Sequence, residues 1–259
     1  MKHARVAYAG AIHHATPHPR GLQLADGRVL AEEAVVWLPP IEVGTVFALG
    51  LNYADHAKEL SFDKQAEPLA FIKSPQAIMG HRGQTRRPAD ATFMHYECEL
   101  AVVIGRTARN VPREEALSVV AGYTVANDYA IRDYLENWYR PNLRVKNRDT
   151  CTLLGPWLVD AADIPDPGRL QLRTEVNGST TQEGTTADMV FDIPEIIAYL
   201  SGFMTLAAGD VILTGTPKGV VDVQVGDVVT TEIEHIGRLV SHIVGDEVFG
   251  IPAAPTAKA

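Results

Sequence analysis

The sequence predicts a mainly β fold, mostly antiparallel, with a few covering helices, and three observations carry this prediction. First, short apolar or alternating runs bounded by glycine, proline or aspartate recur along the chain, which is the pattern of strands separated by turns. Second, helical spacing of apolar residues is confined to the segments 52–60, 113–121 and 194–204. Third, strand and helix patterns do not alternate regularly, which disfavours Rossmann and TIM-barrel architectures.

The individual elements follow from the same patterns. Residues 1–44 are predicted to be a small β-rich segment, because Asp26-Gly27 lies between two alternating runs and is a strong hairpin signal. The body, residues 45–250, carries predicted strands at 100–104, 123–126, 170–176, 211–214 and 228–234. The tail, residues 251–259, is low in complexity and is predicted to fray.

Composition excludes several classes of protein. The 259 residues are 46% hydrophobic and 21% charged, which is typical of a globular chain. The net charge of −9 opposes binding to a phosphate backbone. No apolar run reaches the roughly 18 residues of a membrane span, and the N-terminus lacks the apolar core of a signal peptide. Two cysteines without a CxxC pair favour a reducing compartment. We therefore expect a cytoplasmic protein that binds neither nucleic acid nor membrane.

Three acidic side chains near predicted strands are candidate metal ligands. Glu97 and Glu99 are two residues apart, so a strand projects them from one face, and Asp128 follows a second hydrophobic run. Inward-facing carboxylates are costly to desolvate without a cation between them, and oxygen ligands favour Mg²⁺, then Mn²⁺ or Ca²⁺. The spacing is equally typical of a wet edge strand. His95 either joins such a site or is a structural, hydrogen-bonding residue.

A basic segment in this acidic chain is typical of a site for an anionic small molecule. Against only two acids, residues 132–148 contain Arg132, Arg140, Arg144, Lys146 and Arg148. Guanidinium groups bind carboxylates in two-point geometry, and a lysine near a metal can stabilise a developing enolate oxygen. Without further observations, a solvated loop that neutralises neighbouring acids is the simpler explanation.

Two further segments hold candidate polar groups. His56 and Glu59 share a helical face, and form either an oriented base on a lid or an ordinary surface pair. The turn 214–219 follows a buried strand, so the Thr216 hydroxyl and the turn's amides suit a carboxylate, although a structural turn explains the segment equally well. Lys73 follows another strand-like run.

Taken together, these segments resemble the fumarylacetoacetate hydrolase family from about residue 46 to residue 244. The resemblance rests on several motifs in the family's order. They are residues 50–56, 71–75, 95–100, 121–128, 146, 155–156 and 214–217. The resemblance implies a mixed β-sandwich roll in which Glu97, Glu99 and Asp128 hold a divalent cation.

The resemblance also implies roles for the other candidates. The residues implied in catalysis are His56, Glu59 and Lys146. The residues implied in binding a substrate through its carboxylates are Arg132, Arg140, Thr216 and Lys73.

The segments 127–146 and 184–188 resemble those of family members that act in 4-hydroxyphenylacetate catabolism. This resemblance implies the activity of those members. It is decarboxylation of 5-oxopent-3-ene-1,2,5-tricarboxylate and isomerisation of 2-hydroxyhepta-2,4-diene-1,7-dioate, through a metal-bound enolate. The alternatives are a hydrolase of an acylpyruvate or fumarylpyruvate, and a non-catalytic β-module that binds a metal or a carboxylate. Because such members often carry two fused halves, we expect a homodimer or a hetero-oligomer with a companion half.

Overall fold

The structure is a computed structural model that describes residues 1–55, 66–135 and 142–251. Its N-terminal strands are β1 Lys2–Tyr8, β2 Ala11–His18, β3 Gly21–Leu24, β4 Val29–Leu30 and β5 Val36–Leu38. The hairpin predicted around Asp26-Gly27 is confirmed, because β3 pairs antiparallel with β4.

The middle of the chain contains the strands that carry the predicted acids. These strands are β6 Val46–Gly50, β7 Leu69–Lys73, β8 Ile78–Met79, β9 Gly83–Arg86, β10 Met94–His95, β11 Cys98–Ile104, β12 Val120–Asp128, β13 Ala130–Ile131 and β14 Thr152–Asp160. Every residue of β11 is buried, as expected of a continuous apolar run in the centre of a sheet.

The remaining elements include two α-helices. The elements are α1 Leu143–Lys146, β15 Gln171–Val176, β16 Ser179–Thr185, α2 Ile193–Phe203, β17 Val211–Leu213, β18 Val228–Ile233 and β19 Gly237–Val244. The helix predicted over 194–204 is confirmed, and its N-cap Asp192 accepts the backbone N–H of Glu195 at 2.9 Å.

The helix predicted over 113–121 is wrong in type and length. A 3₁₀ helix covers Arg113–Val119, and Val120 begins β12 because the sheet recruits it opposite Ile104.

The strands of the described residues form two main sheets and one small pair. Twelve strands form the large sheet, in the order β4-β3-β2-β1-β14-β12-β11-β17-β6-β7, with β5 beside β1 and β8 beside β14. Five strands form the second, in the order β16-β15-β18-β19-β9, and β10 pairs with β13. The pairs β6–β17, β8–β14 and β9–β19 are parallel and the other pairs are antiparallel, which confirms the predicted class. Because β1 also pairs with β14, the N-terminal hairpins extend the large sheet.

The main core lies where the two sheets face each other. Residues of the large sheet such as Leu100, Val125 and Leu153 belong to one buried cluster with Leu172 and Leu239 of the second sheet. This is the packing of a β-sandwich. No helix of the described ranges is long and apolar enough to cross a membrane.

Candidate functional site

The pairing of β11 with β12 brings the three predicted acids together. Cys98 lies opposite Asn127 in this antiparallel pair, and the backbone N–H of Asp128 donates to the carbonyl of Glu97 at 2.9 Å. One carboxylate oxygen each from Glu97, Glu99 and Asp128 lie within 4.8 Å of one another, and all three residues are buried. We call these three residues the carboxylate centre.

Glu99 is the most completely buried acid that lacks an ammonium partner in the described structure. Its Oε2 accepts the backbone N–H of Gly215, and burial, followed by the charges of Asp128 and Glu97, raises the pKa of Glu99 well above its usual range. Gly215 has a φ of +88°, and a Cβ there would lie 3.0 Å from Cβ of Asn52. A larger residue would therefore displace the N–H that holds Glu99.

Two buried ammonium groups partly neutralise the carboxylate centre. Nζ of Lys146 donates to Glu97 and, at 2.9 Å, to Oδ2 of Asp128. Nζ of Lys73 donates to Oδ1 of Asp128 at 2.6 Å and to the carbonyl of Lys146. Burial by itself lowers the pKa of Lys146, but the three carboxylates outweigh burial and raise this pKa above its usual value. The ion pairs of these two ammonium groups reach Asp128 and Glu97 but not Glu99, so Glu99 is the carboxylate that a bound cation would compensate.

A cavity of about 160 Å³ opens beside the centre. Its polar lining consists of Glu97, Arg132, Asn142, Lys146 and Thr216, and its apolar lining includes Leu49, Leu51, Leu69, Phe71, Leu135 and Val145. Nη2 of Arg132 lies 3.9 Å from Oε1 of Glu97. The cavity therefore offers an ammonium, a guanidinium and a hydroxyl to an anionic ligand, opposite side chains that suit carbon and hydrogen.

The other predicted site residues divide into three groups. Lys146, Arg132 and Thr216 line the cavity with Glu97. Lys73 does not line the cavity: its side chain is fully buried, and its ammonium binds Asp128 and a backbone carbonyl. Its contact with a substrate stays a prediction. The remaining residues, His56, Glu59 and Arg140, lie outside the described residues.

His95 is a buried neutral side chain beside the centre. Its Nδ1 lies 3.1 Å from the carbonyl of Tyr96 and 3.7 Å from Oε1 of Glu97. Burial, opposed by the Glu97 charge, lowers the pKa of His95 to about 3. The group of potential metal ligands found in the described residues does not include His95, and its buried Nε2 has no hydrogen-bond partner among them.

Sequence reasoning missed Gln182, which reaches the cavity wall from the second sheet. Its Nε2 donates to Oγ1 of Thr216 at 2.9 Å. Gln182 lies in the polar run Ser179–Thr185, and its partner is 34 residues away in the chain. No local pattern identifies a side-chain contact over that separation.

Comparisons with known proteins identify relatives of this chain. A family model described as "Fumarylacetoacetate (FAA) hydrolase C-terminal" matches residues 45–244. The chain is 56% identical over 234 residues to the 4-hydroxyphenylacetate degradation bifunctional isomerase/decarboxylase of Salmonella dublin, covering 88% of this chain and 54% of that protein. It thus spans about half the length of that curated relative.

Two solved structures share the fold. The 5-carboxymethyl-2-hydroxymuconate delta-isomerase from Mycobacterium smegmatis has a TM-score of 0.83 and 37% identity, covering 95% of this chain and 99% of that one. The fumarylpyruvate hydrolase from Pseudomonas aeruginosa, in complex with Mn²⁺ and pyruvate, has a TM-score of 0.75 and 31% identity, covering 81% and 92%. The chain belongs to the fumarylacetoacetate hydrolase family.

Proposed function

We propose that the chain is a divalent-metal-dependent enzyme that decarboxylates 5-oxopent-3-ene-1,2,5-tricarboxylate and isomerises 2-hydroxyhepta-2,4-diene-1,7-dioate. One observation carries the proposal. Three buried carboxylates and Lys146 meet beside a cavity, in a chain that is 56% identical to an isomerase/decarboxylase. The first two features provide a site for a cation and an oxyanion, and the identity indicates the reaction.

The donor set of the carboxylate centre fits a hard divalent cation. Glu97, Glu99 and Asp128 offer only carboxylate oxygens, the ligands that Mg²⁺, Mn²⁺ and Ca²⁺ prefer. Glu99 has a strongly raised pKa, which shows that its charge is poorly compensated by the protein alone. We propose Mg²⁺ as the native ion, with Mn²⁺ and Ca²⁺ as alternatives. When bound, the ion supplies Lewis acidity toward the oxygens of a 2-oxo carboxylate.

The chain's own residues then bind and polarise the substrate. Loss of CO₂ leaves an electron pair that moves onto the 2-oxo oxygen, and the Lys146 ammonium, kept protonated by its carboxylate neighbours, stabilises that developing charge. Arg132 pairs with a substrate carboxylate, and Thr216 donates a hydrogen bond to it.

Isomerisation also requires a proton to move to or from carbon. We propose His56, oriented by Glu59, for this proton transfer, with Arg140 as a second cation for the remote carboxylates. These three residues lie outside the described residues, so their roles rest on the family resemblance.

Restoring metal to stripped protein tests the proposal directly. Protein dialysed against a chelator is assayed with the tricarboxylate for CO₂ release and for the isomerised product, before and after Mg²⁺, Mn²⁺ or Ca²⁺ is added. We expect both products only after a divalent ion is restored. Failure to form either product with every ion would contradict the proposal.

A second candidate, hydrolysis of an acylpyruvate or fumarylpyruvate, is favoured by the leucines of the cavity. The two cations among its described lining residues, Arg132 and Lys146, both lie within 4 Å of Glu97, and the leucines suit an alkyl chain. Comparing CO₂ release with pyruvate release from the corresponding substrates separates the two activities. Tight Mg²⁺ binding without turnover of any such acid would favour a non-catalytic module.

Assembly and location are part of the same proposal. We propose residues 45–250 as the catalytic domain, working in the cytoplasm either as a homodimer or beside a companion half, because the relative from Salmonella dublin is about twice as long. Sedimentation velocity of the isolated chain, with activity measured on the same sample, distinguishes an active dimer from an inactive lone half.

A further inference from the structure

We propose that Gln182 is a positioning residue that fixes the Thr216 hydroxyl as a hydrogen-bond donor toward the bound carboxylate. This inference rests on the proposed function in one respect, namely that Thr216 contacts a 2-oxo acid. It adds a residue from the opposite sheet, and it specifies the direction in which Thr216 donates.

Gln182 is unusual for its strand. It is 2% exposed, whereas the other residues of β16 are exposed or half-buried. Thr174 of β15 lies opposite Gln182, but the next pair is Glu175 with Thr180, so Thr181 is bulged out of the ladder. A β-bulge redirects the neighbouring side chains and is common beside active sites. Here a buried amide lies next to the bulge.

The hydrogen bonds of the Gln182 amide fix its orientation. Nε2 donates to the carbonyl of Pro217 at 2.7 Å and to Oγ1 of Thr216 at 2.9 Å, while Oε1 accepts from Oγ1 of Thr174 at 3.0 Å. A carbonyl can only accept, so the NH₂ group must face Pro217. The flipped amide would place two acceptor oxygens against each other.

The direction of the Thr216 hydroxyl follows from this orientation. Because Gln182 donates to Oγ1, the single hydroxyl hydrogen of Thr216 must point elsewhere. The described residues give that hydrogen no acceptor, and Thr216 lines the cavity with Glu97, Arg132 and Lys146. The hydrogen is thus available to an anionic ligand, without the cost of reorienting the hydroxyl when the ligand arrives.

The backbone around Gln182 supports this arrangement. A Cβ at Gly184 would lie 2.6 Å from Cβ of Pro217. The backbone of β16 therefore lies closer to the turn than a residue with a side chain would permit. The same turn carries Gly215, whose N–H holds Glu99. Gln182 therefore connects the second sheet to a turn that serves both the carboxylate centre and the cavity.

The test measures pyruvate binding to the Mn²⁺-loaded protein by titration calorimetry. In Gln182→Glu the new carboxylate has no N–H and accepts the Thr216 hydrogen, which turns it away from the cavity. We expect the Kd of pyruvate to rise about 10- to 100-fold, the range for losing a hydrogen bond to a charged group, with Mn²⁺ affinity unchanged. Gln182→Met, which is uncharged, leaves the hydroxyl free to rotate and is expected to give a smaller rise.

A double-mutant cycle separates this role from simple charge repulsion. In a Thr216→Val background, Gln182→Glu is expected to cause no further loss, because its effect passes through the missing hydroxyl. An equal fold-loss in that background, wild-type pyruvate affinity in Gln182→Glu, or a parallel loss of Mn²⁺ affinity would each overturn the inference.

Further variants keep the test decisive. If Gln182→Glu does not fold, Thr174→Val removes the hydroxyl that holds Oε1 and is expected to weaken pyruvate binding, with Thr174→Ser as the matched control that retains it. Equal affinities in these two variants would overturn the inference, as would a wild-type protein that binds no pyruvate. Normal pyruvate binding without turnover counts against the proposed reaction alone.

Discussion

The carboxylate centre and the aromatic junction, which we define as Trp37, His81 and Trp157, are two regions that bury ionisable side chains in different ways. In the centre, three buried acids lie against two buried ammonium groups, at the edge of the cavity. In the junction, His81 packs edge-on against Trp37, with ring centroids 4.9 Å apart, and its Nδ1 accepts the backbone N–H of Val240. Trp157 also packs edge-on against Trp37, with ring centroids 5.3 Å apart.

The difference between the regions lies in how each avoids the cost of burying a charge. Burial, followed by the nearby charges of Arg82 and His242, lowers the pKa of His81 to about 3, so the junction stays neutral and is complete without a ligand. In the carboxylate centre, Lys146 and Lys73 compensate Glu97 and Asp128, whereas burial and the two neighbouring acids raise the pKa of Glu99 and disfavour its charged form. Of these two regions, only the carboxylate centre favours the arrival of a cation.

The largest expected effect comes from breaking the centre at Glu99. Glu99→Gln retains an oxygen for the N–H of Gly215 but removes a cation ligand, so we expect activity to fall by at least about 10³-fold. Mn²⁺ should no longer raise the melting temperature. The metal-free variant should melt no lower than metal-free wild type, because the raised pKa of Glu99 favours its neutral form, which the uncharged Gln resembles. Assays and thermal melts with and without Mn²⁺ test this. Retained activity together with retained metal stabilisation would exclude Glu99 as a ligand.

The next largest effect is expected at Lys73, whose ammonium binds Asp128 of the carboxylate centre. Lys73→Met leaves the buried Asp128 with Lys146 as its remaining ammonium partner. We therefore expect a loss of unfolding free energy below the roughly 3 to 5 kcal/mol that an uncompensated buried charge costs. Urea denaturation measures the loss. The matched control is Arg28→Met, which removes an ion pair to Asp26 that is about half exposed, and its denaturation curve should stay close to that of wild type. Similar curves for the two variants would show that Lys73 does not stabilise the centre.

The smallest expected effect concerns His81 of the aromatic junction and the pH dependence of stability. The folded state keeps His81 neutral down to about pH 3, whereas the unfolded chain protonates it below about pH 6.5, so acid favours unfolding between these values. In His81→Gln, the loss of stability on acidification should be shallower by up to about 1.4 kcal/mol per pH unit. Urea denaturation at pH 7, 6 and 5 measures the slope. His235→Gln, at an exposed position, should keep the wild-type slope, and equal slopes in both variants would contradict the prediction.

Much of the fold could be predicted from local pattern. The strands now called β11, β15 and β18 and the helix α2 lie where alternation, continuous apolar runs or an N-cap placed them. The segment 113–119 shows the limit. Its apolar spacing suits a helix, but Val120 pairs with Ile104 in the sheet, and a pattern confined to one segment does not contain that competing partner.

In the candidate site too, local pattern predicts some features and not others. The spacing of Glu97 and Glu99 alone predicts that they share one face, and composition identifies the basic segment that contains Lys146 and Arg132. A strand pattern also identifies Lys73 as a candidate, but it does not show what the ammonium at the end of that side chain contacts. Its partner, Asp128, is 55 residues away.

The sequence by itself determined which residue types are available and which face of each strand they occupy, because side-chain alternation and hydrophobic burial are properties of neighbouring residues. Only the tertiary structure decided that Lys73 lies behind Asp128, that the Gly215 N–H holds Glu99, and that Gln182 reaches Thr216 from another sheet. The physical reason is that each contact joins groups far apart in the chain, and its geometry exists only once the two sheets have packed.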